Sequence, residues 1–246
     1  MFLIQSGIFF IVPLFLSVVV GLSPIATGVR LLPLSLSLLL AAVGIPRLRP
    51  HANPRRVVRI GLLALIGGIV VLIASLEQGA DASIVIGPLL IVGFGVGALA
   101  SQLGAVTVSA VPTERSSEVG GLQNTATQLG ASLGTALAGS ILIAVLTASF
   151  LTGIQNNPSV PQQAKAQAST KLAAGAPFIS DKDVEARMSA AGRSQQEIDA
   201  AVKQNDASQI DGLRAALSVL AIMGVIALFF TGRIPKKEPG AEPAPA

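Results

Sequence analysis

Residues 120–150 read GGLQNTATQLGASLGTALAGSILIAVLTASF, a run with no charge that carries amides and glycines through its first half. A run of this length suits a membrane-crossing helix, and polar groups inside such a helix point to a functional or packing role. At about 100° per residue, Asn124, Gln128, Ala131, Thr135 and Ala138 fall on one narrow stripe. Beside it run Gln123, Thr127, Gly130 and Gly134, a flank whose Gly130 and Gly134 make a small-xxx-small surface on which another helix can pack closely. Leu122, Leu129, Leu133 and Ala136 form the opposite, lipid-suited face. At 1.5 Å per residue the helix is about 45 Å long, more than the roughly 30 Å of hydrocarbon requires. Its polar start therefore reaches the interface, and Gln128 and Thr135 become the stronger candidates for contact with a cavity.

Composition agrees with a membrane chain. Only 12% of the 246 residues are charged, against about 25% in soluble domains, and mean hydropathy is +0.70. No acidic residue precedes Glu77, and the net charge of +4 comes from basic residues that sit mostly at span ends. That placement points to orientation in a lipid bilayer, not to nucleic acid. The absence of cysteine excludes disulfides, thiolate catalysis and Cys-ligated metal. The opening MFLIQSGIFF lacks a basic n-region and a small-residue cleavage site, so it reads as a retained span.

Six segments are long and apolar enough to cross a bilayer, at 2–20, 28–45, 57–76, 83–108, 120–150 and 213–232. The predicted fold is all-α and integral to the membrane, a six-helix bundle with a long extracytoplasmic loop over 151–212. The loop at 46–56, PRLRPHANPRR, carries Arg47, Arg49, Arg55 and Arg56, whereas the next loop carries Glu77 and Asp81. The positive-inside rule puts the first in the cytoplasm and the second outside. Both termini are then cytoplasmic, in a multi-pass protein of the cell membrane, with a Pro/Ala-rich tail over 233–246 expected to be disordered. Arg30, near the outer end of the second span, is the one contrary charge.

Between Lys165 and Arg214 the outer segment holds seven basic and seven acidic residues. Ser194 with Glu197 forms a capping-box pattern, and Ser180 is placed to cap a helix that Gly192 ends. Two or three short surface helices are expected there, either capping the outer mouth or serving as a solvated connector.

Little in the chain suggests an enzyme. The single histidine, His51, has no cysteine or carboxylate near it in sequence to make a metal site or a catalytic triad, and no cofactor motif is present. GFGVG in the fourth span lacks the Lys-Ser/Thr ending of a phosphate loop; Gly93 and Gly97 there suit close helix packing. All thirteen acidic residues lie in loops, at span ends or in the tail, so no intramembrane carboxylate is available to couple protons. The polar groups in the spans include Gln102, Asn124, Gln128 and Thr135. Asn124 and Gln128 suit either interhelical hydrogen bonds or the wall of a substrate cavity. The serines and threonines fit a bond back to their own helix better.

The runs GLSPIATGVRLLPLSLSLLLAAVGIPRL and GPLLIVGFGVGALASQLGAVTVSAVPTERSSEVGGLQNTATQLGASLGTALAGSIL carry a resemblance. They resemble the major facilitator superfamily, and more narrowly the C-terminal half of its fourteen-helix drug/proton antiporters. Carrying features are Gly28 to Arg30 with Leu31 to Pro33, the Pro112 loop, and Gly121, Asn124, Gln128, Gly130 and Gly134. The family's cytoplasmic signature, Gly-x-x-x-Asp-Arg-x-Gly-Arg-Arg, is degenerate around Gly44 to Arg56, where its Asp and second Gly are missing. The resemblance implies one half of a two-bundle transporter of amphipathic or cationic small molecules. A missing N-terminal bundle, or a second copy, would complete it and would supply the main coupling carboxylate. The competing expectation is a non-transporting membrane subunit that binds a partner through its outer loop.

Overall fold

The computed structural model describes residues 1–77, 81–108, 116–157, 162–172 and 175–234. The Pro112 loop and nearly all of the 233–246 tail lie outside these residues. Helix α1 spans Phe2–Leu14, α2 Pro24–Leu48, α3 Pro54–Ser75, α4 Ile86–Val108 and α5 Ser116–Asn156. Short helices α6, Gln162–Lys171, and α7, Asp181–Ala190, precede the long α8, Gln195–Phe230. Six helices are long and apolar enough to cross a membrane, and the described residues are all helix and connecting turns.

Local chemistry sets the boundaries. Pro24 and Pro54 open α2 and α3 at positions that need no N–H donor, behind Ser23 and Asn53, whose side chains accept from the backbone N–H of Ala26 and Arg56. Pro13 removes a donor inside α1, and two residues later the helix loosens to π geometry over Phe15–Val19, where the Val20 N–H reaches Phe15 O at 3.0 Å. Gly21, at φ 75°, then ends the run, and the Leu22 N–H returns to Leu16 O at 2.9 Å.

Three helices run further than hydropathy alone suggests. α2 continues through Pro46 to Leu48, α5 extends to Asn156, and α8 begins at Gln195. The Ser194–Glu197 capping box is present in full, yet it starts α8 itself. No proline interrupts 195–232, so the helix begun at the cap propagates into the membrane span. Ser180 caps α7, and Gly192 turns the chain at φ 69°.

The bundle is assembled from two groups of three. α4 packs against α2 and α3, α5 packs against α1 and α8, and α8 joins the groups through α3. Ile4, Ile8, Ile11, Leu65, Ile69, Leu89, Leu213 and Leu217 form the shared core, each 4% exposed or less. Hydrocarbon offers no hydrophobic drive between helices, so close backbone approach holds them together. A methyl group on Gly93 would lie 2.3 Å from Leu34 O, and one on Gly97 the same distance from Leu38 O, which seats α2 directly on the α4 backbone.

Candidate functional site

The N-terminal half of α5 leaves its polar stripe uncovered. Asn124, Gln128 and Thr135 are exposed, as are Leu122, Leu129 and Leu133 on the opposite face. Thr135 donates to Ala131 O at 3.2 Å, Thr127 to Gln123 O at 2.9 Å and Ser132 to Gln128 O at 2.8 Å, so these hydroxyls are satisfied within their own helix. The side-chain amides of Asn124 and Gln128 have no hydrogen-bond partner among the described residues. Each carries two N–H donors and a carbonyl acceptor, and hydrocarbon can satisfy none of them. The stripe therefore requires a polar counterpart: another helix, water in a cavity, or a ligand.

The flank of that stripe is covered by α1. A Cβ on Gly134 would sit 2.0 Å from Leu3 O, while one on Gly130 would meet Leu3 N only at 3.5 Å. Gly134 thus marks the tight crossing and Gly130 its looser edge. Gln102 is placed differently from the other three polar candidates. It is buried on α4 at 6% exposure, its Nε2 donating to Ser101 Oγ at 3.2 Å.

The arginines divide by role. Arg55, in the first turn of α3, donates from Nε to Ile234 O at 2.8 Å and from Nη2 to Gly232 O, just beyond α8. Arg59, one turn on, donates from Nε to Thr231 Oγ1 at 2.9 Å. The end of α8 presents unpaired carbonyls and partial negative charge, which these guanidiniums complement. Arg47, Arg49 and Arg56 remain exposed, with no side-chain partner among the described residues. Arg49, His51 and Arg56 border one end of an open cavity of about 1250 Å³ between α2, α3 and α4. Leu36, Leu40, Ile60, Leu90, Phe94 and Ala98 line its apolar length. Gln128, Thr135, Asn124 and Gln102 do not border it.

At the other end of the bundle the contacts are again polar. Arg214 Nη2 donates to Leu76 O at 2.6 Å, tying α8 to the end of α3, and Ser149 Oγ donates to Asp211 Oδ2 at 2.7 Å, tying α5 to α8. Asp81 is held below the ordinary carboxylate range chiefly by the Ser83 hydroxyl and backbone N–H, and the charge of Arg30 adds to the effect. The contrary arginine of the second span thus has an acidic counterpart at its own end of the bundle. Above this level, Asn205 and Gln209 both donate to Ile179 O, at 3.2 and 2.6 Å, and Asn205 also reaches Asp181 Oδ1 at 2.8 Å. These bonds dock α7 and the segment before it onto the extension of α8.

Sequence reasoning missed Asn205, Gln209 and Arg214 as structural anchors. A usable signal was present: 205 and 209 are amides one helical turn apart, the same pattern noted at Asn124 and Gln128. Ser37, which donates across to Leu90 O at 2.7 Å, had no distinguishing pattern.

A bundle of six apolar helices with glycine-tight crossings and an uncovered polar stripe is the architecture of a multi-pass membrane protein. The Major Facilitator Superfamily model matches residues 1–135, and the chain belongs to that superfamily of membrane transporters, which sets it apart from enzymes. It is 30% identical over 144 residues to the "Multidrug resistance protein Stp" of Mycobacterium tuberculosis, an alignment covering 58% of this chain and 26% of that protein. It is 34% identical over 139 residues to the "Tetracenomycin C resistance and export protein" of Streptomyces glaucescens, covering 56% and 25% respectively. The chain thus aligns with about a quarter of each of these curated relatives.

Proposed function

We propose that this chain is the C-terminal bundle of a proton-coupled multidrug efflux transporter in the plasma membrane. Both of its termini lie in the cytoplasm, and an N-terminal bundle, or a second copy, completes it. The carrying observation is the pair of exposed, unpartnered amides, Asn124 and Gln128, on an otherwise apolar helix. Family membership and the printed names of the two relatives support drug export as the activity. Gln128, Thr135 and Asn124 line the substrate path for amphipathic or cationic molecules, whereas Gln102, the fourth candidate, is buried on α4. Gly130, Gly134, Gly93 and Gly97 set the helix spacing. Arg47, Arg49, Arg55 and Arg56 hold the cytoplasmic orientation.

No Asp or Glu lies within the six apolar spans, so the titrating carboxylate belongs to the completing bundle. The same absence favours the second reading, a non-transporting subunit that binds a partner through its outer segment. Two experiments separate these readings. In an efflux-deficient host, the chain alone is expected to leave ethidium accumulation unchanged; co-expression with an N-terminal bundle from a relative is expected to restore proton-dependent export. Export by the demonstrated monomer would overturn the proposal of an incomplete transporter. A cysteine placed at Gln128, unique in this cysteine-free chain, should crosslink to the completing bundle. Crosslinking only through the outer segment would favour the scaffold.

A further inference from the structure

The cavity between α2, α3 and α4 is separate from the polar stripe of α5, and its chemistry is different. Its floor, Leu90 and Phe94 on α4, is 42% and 40% exposed, whereas Leu89, Val92 and Val96, on the core-facing side of the same helix, are 0%, 1% and 2% exposed. It therefore opens away from the bundle core. Along α2 it runs from Leu36 to Leu48, about 18 Å at 1.5 Å per residue, close to one leaflet of a roughly 30 Å hydrocarbon core.

Charge is confined to one end of this groove. Arg49, His51 and Arg56 border that end, and no carboxylate among the described residues borders the cavity. Arg55 and Arg59, from the same basic stretch, are committed to the end of α8. The guanidiniums of Arg49 and Arg56 have no partner among the described residues. A groove one leaflet long, apolar along its length and cationic at its mouth, is complementary to an amphiphile with an anionic head. A cationic drug would meet repulsion at the same mouth.

We propose that this groove binds one anionic phospholipid, an acyl chain lying against Leu36, Leu40, Ile60 and Phe94 and the phosphate held by Arg49 and Arg56. Its placement in the cytoplasmic leaflet rests on the orientation proposed above; binding itself does not. Gly44 lines the groove, and a Cβ there would meet nothing within 4 Å, so Gly44→Phe fills the space without disturbing the helices.

Native mass spectrometry of the delipidated full chain, titrated with dioleoylphosphatidylglycerol or dioleoylphosphatidylcholine, tests the assignment. Phosphatidylglycerol is expected to be retained about tenfold or more over phosphatidylcholine. The Arg49→Gln/Arg56→Gln variant should lose that preference, and the double lysine variant should keep most of it. Gly44→Phe should weaken phosphatidylglycerol binding with charge unchanged. Equal binding of the two lipids, or full binding by either the double glutamine variant or Gly44→Phe, would overturn the proposal. So would disulfide linkage of two copies through Leu40→Cys in bilayers, which would make the groove a protein interface.

Discussion

Arg59 on α3 donates from Nε to the hydroxyl oxygen of Thr231 at the end of α8, 2.9 Å away across 172 residues of sequence. Thr231 is 2% exposed and its hydroxyl donates to Leu228 O at 2.7 Å. With Arg55 on the carbonyls of Gly232 and Ile234, the first turn of α3 and the last turn of α8 form one polar clamp. Three arginines at a helix start oppose that helix's own dipole, and the neighbouring C-terminus compensates.

Arg55→Ala and Arg59→Ala should therefore each weaken the bundle although neither residue touches the polar stripe. Hydrogen bonds to charged groups contribute about 1.5–3 kcal/mol when buried, and partial exposure reduces this. A fall of about 3–6 °C in Tm is expected for each. Circular dichroism at 222 nm is the suitable readout, because the chain has no Trp, Tyr or Cys to report otherwise. An unchanged melting curve for both variants would show that the clamp carries no stability.

The two glycines of α5 should respond unequally to the same change. Gly134→Ala places a methyl 2.0 Å from Leu3 O, whereas Gly130→Ala meets nothing closer than 3.5 Å. Overpacking of a tight crossing costs about 1–3 kcal/mol. Gly134→Ala should separate α1 from α5 and lower Tm by several degrees, while Gly130→Ala should be close to neutral. Equal effects would mean that α1 does not cross at Gly134.

Replacing the exposed amides should spare the fold and impair function. Asn124→Ala and Gln128→Ala remove groups with no partner among the described residues, so Tm should stay within about 1–2 °C of the parent. In the completed transporter, Gln128→Ala should reduce drug export the more strongly, because position 128 lies deeper along the helix. Thr135→Val should have a smaller effect, since its hydroxyl is already bonded to Ala131 O. Full export by the Asn124→Ala/Gln128→Ala variant would remove the stripe from the substrate path.

The start of α8 should loosen in acid. Glu197 is held below the ordinary carboxylate range, first by the Ser194 backbone N–H and then by its hydroxyl. A lowered folded-state value means that this stabilisation is complete above the unfolded value, near 4.3, and is lost as pH falls through the folded value. Amide exchange over the first turn of α8, corrected for intrinsic rate, should be flat from pH 7 to about 5 and rise below that. Glu197→Gln should abolish the rise, whereas Ser194→Ala should raise exchange at every pH.

Much of the fold was legible because the bilayer imposes a length. A span must be apolar for about 20 residues, and all six runs could be found from hydropathy. The starts of α7 and α8 were legible for a local reason too: a cap is a bond between residues three apart. Helix ends were less so. The sequence places Pro46 in a loop, yet α2 passes through it to Leu48; proline costs the bond to the preceding turn but leaves the two residues that follow it free to stay helical.

For the candidate site, the sequence alone determined the stripe of Asn124, Gln128 and Thr135, since helical periodicity decides which side chains share a face. It also determined that glycines border that face. Tertiary structure decided what each face meets: α1 covers Gly134, the polar stripe stays open, Gln102 is buried, and Arg55 and Arg59 turn to α8 while Arg49 and Arg56 border a groove. The physical reason is range. Periodicity, capping and hydropathy act within a few turns of one helix, whereas a carbonyl 2.0 Å from a glycine's missing methyl depends on where a distant helix crosses.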